Sequence, residues 1–341
     1  MNICITGGGT GGHLMIAEAL LEAAIQKGHT AIFIGSTHGQ DRKYFEDSSA
    51  FKEVHFFETT GVVNQKGLGK LKALFKVFKA FLKSRSVLKS EKIDAVYSVG
   101  GFSAAPAAFA SLFLRVPLFI HEQNAVYGRL NALLKPFASS FISAYDKDSS
   151  IKGYPVKKIF STTKRVRKEL KNIIFLGGSH GAKAINDLAL LKAKKLNAMG
   201  IHIIHQAGEA DFLRVQSAYQ NLGIEVELYG FTKEIPALIA KADLAVSRAG
   251  ASTLWELTTN GCPTLYVPYP YAAGNHQYYN AKFIVDDEMG WCELEGKKLS
   301  LALDKILKDI DLDLAKHSSR LLDYSNKDVA IKMINAVEEI I

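Results

Sequence analysis

The sequence predicts an α/β protein of two doubly wound parallel-sheet domains in series, and three observations carry that expectation. Short β-branched or aliphatic runs alternate with longer segments of helical period, the alternation lapses once and restarts, and each half opens with a glycine-rich turn directly after its first apolar run. Parallel strands need long crossover connections, and a repeated strand–helix–strand grammar supplies them while covering both sheet faces.

In the first half the strand-like runs are residues 2–5, 31–34, 54–57, 95–99 and 118–120; in the second they are 173–176, 201–204, 226–228, 244–246 and 264–267. Between them, around Lys152-Gly153-Tyr154-Pro155-Val156, the periodicity lapses at a Gly and a Pro, which divides the chain into domains 1–155 and 156–326. The closing stretch 327–341 reads as a helix with Val329, Ile331, Ile334 and Val337 on one face.

Length and composition agree: 341 residues, 48% of them hydrophobic, suffice for two cores. Lys plus Arg exceed Asp plus Glu by 42 − 34 = +8, which favours anionic partners. No aromatic RNA-binding motif, zinc finger or helix-turn-helix pattern supports nucleic acid, and the positive charge concentrates near residues 66–92. Cys4, Cys262 and Cys292 are odd in number and widely spaced, so neither a disulfide framework nor a cysteine zinc site is expected. With no leader pattern at residues 1–6 and no run of about 18 apolar residues, the chain is expected to be neither exported nor membrane-spanning.

The first glycine turn, Gly7-Gly8-Gly9-Thr10-Gly11-Gly12-His13, precedes a helix through Ala17, Leu20, Leu21 and Ala24. Backbone amides at such a helix start suit a phosphate, aided by the helix dipole. Gly7, Gly9 and Gly12 satisfy G-x-G-x-x-G, but the second strand ends in Gly35-Ser36-Thr37, without the acidic residue a dinucleotide's ribose requires. Gly177-Gly178-Ser179-His180-Gly181-Ala182 repeats the arrangement in the second half. Two such turns, one per domain, are expected to face each other across a cleft.

The most informative segment is Ser247-Arg248-Ala249-Gly250-Ala251-Ser252-Thr253-Leu254-Trp255-Glu256. A strand ends in a small-residue turn, a helix starts at Ser252 or Thr253, and Glu256 sits in its first turn. There a carboxylate can accept both hydroxyls of a ribose diol while the helix start faces a diphosphate. Downstream, Asn275-His276-Gln277 opens another helix with groups that suit sugar hydroxyls.

Taken in order, GGGTGGH, His121-Glu122-Gln123-Asn124, GGSHGA, SRAGASTLWE and NHQYYNA resemble the motifs of the MurG family of bacterial cell-wall glycosyltransferases, and they span residues 7 to 281. The resemblance implies a GT-B fold of two Rossmann-like domains facing across a cleft, with the segment 327–341 packing back on the first. It also implies inverting transfer of N-acetylglucosamine from UDP-N-acetylglucosamine to the C4 hydroxyl of N-acetylmuramyl-pentapeptide on undecaprenyl diphosphate, lipid I to lipid II. The partners implied are that donor, the lipid-linked acceptor and an anionic membrane surface, with the enzyme peripheral on the cytoplasmic face of the inner membrane.

Carried over motif by motif, the resemblance places Thr10, Gly11, Gly12 and Asn124 near the donor from the first domain. From the second come Ser179 at the diphosphate, Thr232 at uracil, Ala251, Ser252, Thr253, Leu254, Trp255 and Glu256 at diphosphate and ribose, and Gln277 at the sugar. Where the family commonly has Asn-Pro-Val-Arg, this chain has Tyr154-Pro155-Val156-Lys157, so a lysine point charge stands at the donor contact in place of a bidentate arginine. His180 replaces a usual glutamine and Phe102 a common tyrosine.

Inverting transfer needs a base near the acceptor hydroxyl, and two residues qualify: His13, after the first glycine turn, and Glu122, at the end of a strand. Asp309-Ile310-Asp311 matches a metal-binding Asp-x-Asp in letters, but lies in a late helical region and reads as a solvated face. No metal or cofactor is assigned; magnesium assistance at the diphosphate is left open.

Between residues 66 and 85, Lys66, Lys70, Lys72, Lys76, Lys79, Lys83 and Arg85 interleave with Leu71, Leu74, Phe75, Phe78, Phe81 and Leu82, which share one helical face. That pattern suits either a helix packed on the sheet or one lying on anionic lipid. Val62 and Val63, in the preceding loop, add apolar residues outside any core periodicity.

Overall fold

The computed structural model describes residues 1–61, 66–178, 181–324 and 328–341. Val62, Val63, Ser179, His180 and Lys327, all singled out above, lie outside the described residues. The chain forms two compact units, Met1–Lys157 with Asp328–Ile341, and Lys158–Lys327.

In the first unit the elements run β1 (Asn2–Thr6), α1 (Gly11–Gln26), β2 (Thr30–Ser36), α2 (Asp41–Phe45), β3 (Glu53–Phe57), α3 (Leu68–Ser90), β4 (Ala95–Ser98), α4 (Ala105–Leu114), β5 (Leu118–Glu122), α5 (Arg129–Leu134) and β6 (Ser140–Ser143). The second unit continues with α6 (Lys158–Thr162), β7 (Asn172–Leu176), α7 (Lys183–Ala198), β8 (His202–Gln206), α8 (Phe212–Leu222), β9 (Glu227–Tyr229) and α9 (Ile235–Lys241). It closes with β10 (Leu244–Ser247), α10 (Ala251–Asn260), β11 (Thr264–Tyr266), α11 (His276–Asp286), β12 (Trp291–Cys292) and α12 (Lys297–Tyr324), after which α13 (Val329–Ile340) returns to the first unit.

Among the described residues each unit holds one six-stranded parallel sheet, ordered β3-β2-β1-β4-β5-β6 and β12-β11-β10-β7-β8-β9. Counted from the first strand of each unit, both are the order 3-2-1-4-5-6, with the reversal of winding between β1 and β4 and between β7 and β10. The central strands are buried on both faces, as parallel sheets require: Ile3, Cys4 and Ile5 of β1 and Ile173, Ile174 and Phe175 of β7 are fully buried. Two strands escape the sequence pattern. Both β6 and β12 lie at sheet edges, the first carrying serine at each end and the second only two residues long.

Helix α13 belongs to the first unit by packing as well as by position. Met333, Ile334 and Val337 are buried, Tyr97 Oη donates to the Met333 carbonyl at 2.9 Å, and Glu338 pairs with Lys27 and His29 beside α1.

In the second unit Arg167 is fully buried. Its guanidinium donates to the carbonyls of Ile239 and Ala242 at the end of α9, each at 3.1 Å, and to the main-chain and side-chain oxygens of Asn260 at the end of α10. One cation thus satisfies orphan carbonyls at two helix C-termini, where the dipole favours positive charge. It fixes the far end of α10, whose near end lies at the winding reversal. Arg167→Leu would strand several carbonyls in the core, and we expect it to lower the unfolding free energy by about 3–5 kcal/mol, measured by urea denaturation.

Candidate active site

Unit 1 places its first glycine turn at the C-terminal end of β1, beside the Gly100-Gly101 turn that follows β4. A Cβ on Gly101 would collide with the Gly8 carbonyl, and one on Gly8 with the Asp41 carboxylate, so the two loops close on each other through bare backbone. Their amides are partly consumed in doing so. Gly8 donates to the Gly100 carbonyl at 3.1 Å, and Gly9 donates to Asp41 Oδ1 at 2.6 Å while Ser36 holds Oδ2 at 2.8 Å. Asp41 has no solvent exposure; burial pushes its carboxyl upward while the amide and Ser103 hydrogen bonds oppose the shift. The sequence offers the turn's backbone amides at the helix start to a phosphate, and of these turn amides a buried carboxylate takes Gly9's. The amides left for an anion are those opening α1, at Gly11 and Gly12, since Thr10 is an extended N-cap that makes no side-chain cap bond.

His13 stands in the first turn of that helix. Its Nδ1 lies 2.9 Å from Thr10 Oγ1 and its Nε2 2.8 Å from Gln123 Nε2. Glu122 is buried and builds the loop that carries Gln123 and Asn124: it accepts from the Asn124 amide at 3.0 Å, the Gly128 amide at 2.8 Å and Asn131 Nδ2 at 2.9 Å. With both oxygens so engaged, Glu122 acts as the organiser of this loop. His121, one residue before, is buried edge-on to the Tyr154 ring at 5.1 Å; burial, and secondarily the proximity of His13, push its pKa down to about 3 and keep it neutral. Lys157 Nζ lies 2.7 Å from Glu18 on α1, so its charge is committed within this unit.

Unit 2 presents its site at the ends of β7 and β10. Gly177 and Gly178 follow β7, and Gly250 is the N-cap of α10 with no side-chain bond and no acid in the first turn, which leaves the helix start open to an anion. Glu256 is buried one turn further, accepting from Ser252 Oγ at 2.7 Å. The side chains of Leu254 and Trp255 are buried, Trp255 against Phe283 and Tyr324, so within this segment they hold the helix while Ser252, Thr253 and Glu256 carry polar groups. Gln277 accepts from the Tyr269 amide at 2.9 Å, and Arg248 donates to the Val267 carbonyl at 3.0 Å while stacking over the Tyr269 ring. Arg248 lies in a motif the sequence singles out, yet its role as the brace of the 267–269 loop is visible only in the fold. Beyond β9, Glu209, Phe212 and Gly230 line a hollow of about 290 Å³, directly before Phe231 and Thr232.

The matching family models are the glycosyltransferase family 28 N-terminal domain, over residues 3–143, and its C-terminal domain, over residues 172–332. A relative from Sulfurimonas denitrificans, 64% identical over 99% of this chain and 98% of its own length, is named UDP-N-acetylglucosamine--N-acetylmuramyl-(pentapeptide) pyrophosphoryl-undecaprenol N-acetylglucosamine transferase. The chain belongs to the MurG family of glycosyltransferases. A family member from Wolinella succinogenes with the same name is 50% identical, over 99% of both chains. Among solved structures, Acinetobacter baumannii MurG superposes with a TM-score of 0.79 at 26% identity, covering 99% of each chain. The two family 28 domains and the two parallel sheets together make the fold GT-B. A UDP-N-acetylglucosamine 2-epimerase of Listeria monocytogenes, TM-score 0.66 at 13% identity, shares the fold alone.

Proposed function

We propose that this chain transfers N-acetylglucosamine from UDP-N-acetylglucosamine to the C4 hydroxyl of N-acetylmuramyl-pentapeptide diphosphoryl-undecaprenol, with inversion. The observation that carries the reading is the open start of α10 with Glu256 buried one turn inside it. The helix start takes the diphosphate, and Glu256 exchanges its Ser252 contact for the ribose hydroxyls. Thr232 and the hollow beside it take uracil, Gln277 the sugar hydroxyls, and Thr10, Gly11, Gly12 and Asn124 the donor from unit 1.

In the chemical step O4 of the acceptor attacks the anomeric carbon from the face opposite UDP, and its proton passes to His13. The bond from the anomeric carbon to the β-phosphate oxygen breaks, and its electron pair leaves with UDP, stabilised by the α10 amides. His13 is assigned as base in preference to Glu122 because Glu122's oxygens take three N–H donors that hold its loop to α5, the Asn124 and Gly128 amides and Asn131 Nδ2.

We further propose that α3 seats the enzyme on anionic lipid. Most of the face that could have packed on the sheet points outward instead: Leu71, Leu74, Phe75, Phe78 and Leu82 are exposed, while Phe81 packs against the core and Ala73, Ala80 and Leu88 are buried. Phe113 of α4 is exposed beside them, with Arg85 over its ring at 5.2 Å and Lys79 over Phe75 at 4.6 Å. Apolar rings flanked by cations suit a headgroup boundary, each cation contributing about 1 kcal/mol near an anionic surface. No helix among the described residues is long and apolar enough to cross a membrane.

Transfer of radiolabelled N-acetylglucosamine to a short-chain lipid I analogue tests the reaction. Glu256→Ala should raise the donor KM about 10- to 100-fold, as expected for loss of charged hydrogen bonds, and His13→Gln should lower kcat by about 10²- to 10⁴-fold. No transfer despite UDP-sugar binding would point to another acceptor. Co-sedimentation tests the surface: Phe75→Glu/Phe78→Glu should abolish binding to anionic vesicles without reducing transfer to the soluble analogue. Unaltered vesicle binding in that variant would refute the seat.

A further inference from the structure

The environment of His13 is more specific than a base alone requires. An imidazole accepts a proton through one nitrogen, and the other must carry hydrogen and be anchored. Here Nδ1 faces Thr10 Oγ1 at 2.9 Å, and Nε2 faces the amide nitrogen of Gln123 at 2.8 Å. An amide nitrogen can only donate. Nε2 is therefore the acceptor, the ring proton sits on Nδ1, and Nδ1–H donates to Thr10. The lone pair the reaction needs is the one the Gln123 amide covers.

We infer that Gln123 is a positioning residue for the base: it fixes His13 in the Nδ1–H form and occupies the Nε2 lone pair until the acceptor hydroxyl displaces its amide. This rests on the assignment of His13 as base. The hydroxyl replaces one donor by another at the same lone pair, so the ring stays in place and the tautomer is kept. Because an N–H aimed at Nε2 is compatible only with the neutral ring, Gln123 also disfavours the imidazolium.

His121, on β5, is held neutral by burial. Asn131 of α5 comes against the same point as His13 Nε2, a Cβ on Gly100 meeting them at 3.1 and 3.3 Å, but its Nδ2 is bonded to Glu122. Glu122 is engaged by its loop donors, and across the glycine turn Asp41 is bonded to the Gly9 amide, with Tyr44 beside Gly11. Gln123 itself is buried, so its amide is held at the ring rather than free in solvent.

The test uses the full chain with ¹⁵N-labelled histidine, the His13 signals assigned by their loss in His13→Gln. In the wild type His13 should be the Nδ1–H tautomer. Gln123→Met should give mixed tautomers and a higher titration midpoint, and Gln123→Glu a midpoint higher still, by about one unit or more. In parallel the acid limb of kcat/KM should move upward in Gln123→Glu, costing about 10-fold at pH 6.5 and recovering at pH 9. Unchanged tautomer and titration in both variants, or a loss of activity equal at every pH, would overturn the inference and leave Gln123 a packing residue. A titration that moves while the acid limb stays would instead overturn His13 as the base, and with it Gln123's part in the reaction.

Discussion

The reversal of winding between two neighbouring parallel strands is the constraint on which the functional parts of this chain depend. Parallel strands bring all their C-terminal ends to one edge of the sheet. Where connections leave in opposite directions, between β1 and β4 and again between β7 and β10, no crossover helix covers that edge. Loops and helix starts gather there: the start of α1 with His13 and the Gly100 turn in the first unit, and the start of α10 with Gly177 and Gly178 in the second.

The same topology is used for two different ends. In the first unit the glycine turn is tied inward by Asp41 and Gly100, so its geometry is set before anything binds, and what it delivers is a fixed start for α1 with His13 held at both nitrogens. In the second unit the first turn of α10 carries no acidic residue, and Arg167 secures the helix from its opposite end. A buried carboxylate rigidifies one turn; an unfilled helix dipole leaves the other receptive.

Local patterns in the sequence already carry the central strands, both glycine turns and the α10 motif, because burial on both faces and tight turns dictate residue type position by position. What the sequence does not carry depends on distant partners. Asp41 meets Gly9 across 32 residues and Gln123 meets His13 across 110, and neither pair has a periodic signature. The edge strands β6 and β12 are too short and too polar or too exposed to stand out. The direction of the apolar face of α3 is equally absent from the sequence, since one helical period serves a face turned inward or outward; in the structure Ala73 and Ala80 are buried while Leu71, Leu74, Phe75, Phe78 and Leu82 are exposed.

The central claim is that the nucleotide is held in the second unit, at the reversal between β7 and β10. Amide hydrogen exchange with and without UDP tests it most directly. The account predicts slowed exchange at the opening of α10, residues 251–256, and around Phe231 and Thr232, with the Gly8 and Gly9 amides unchanged because they are already bonded internally. Protection confined to residues 7–13, with none in α10, would contradict it.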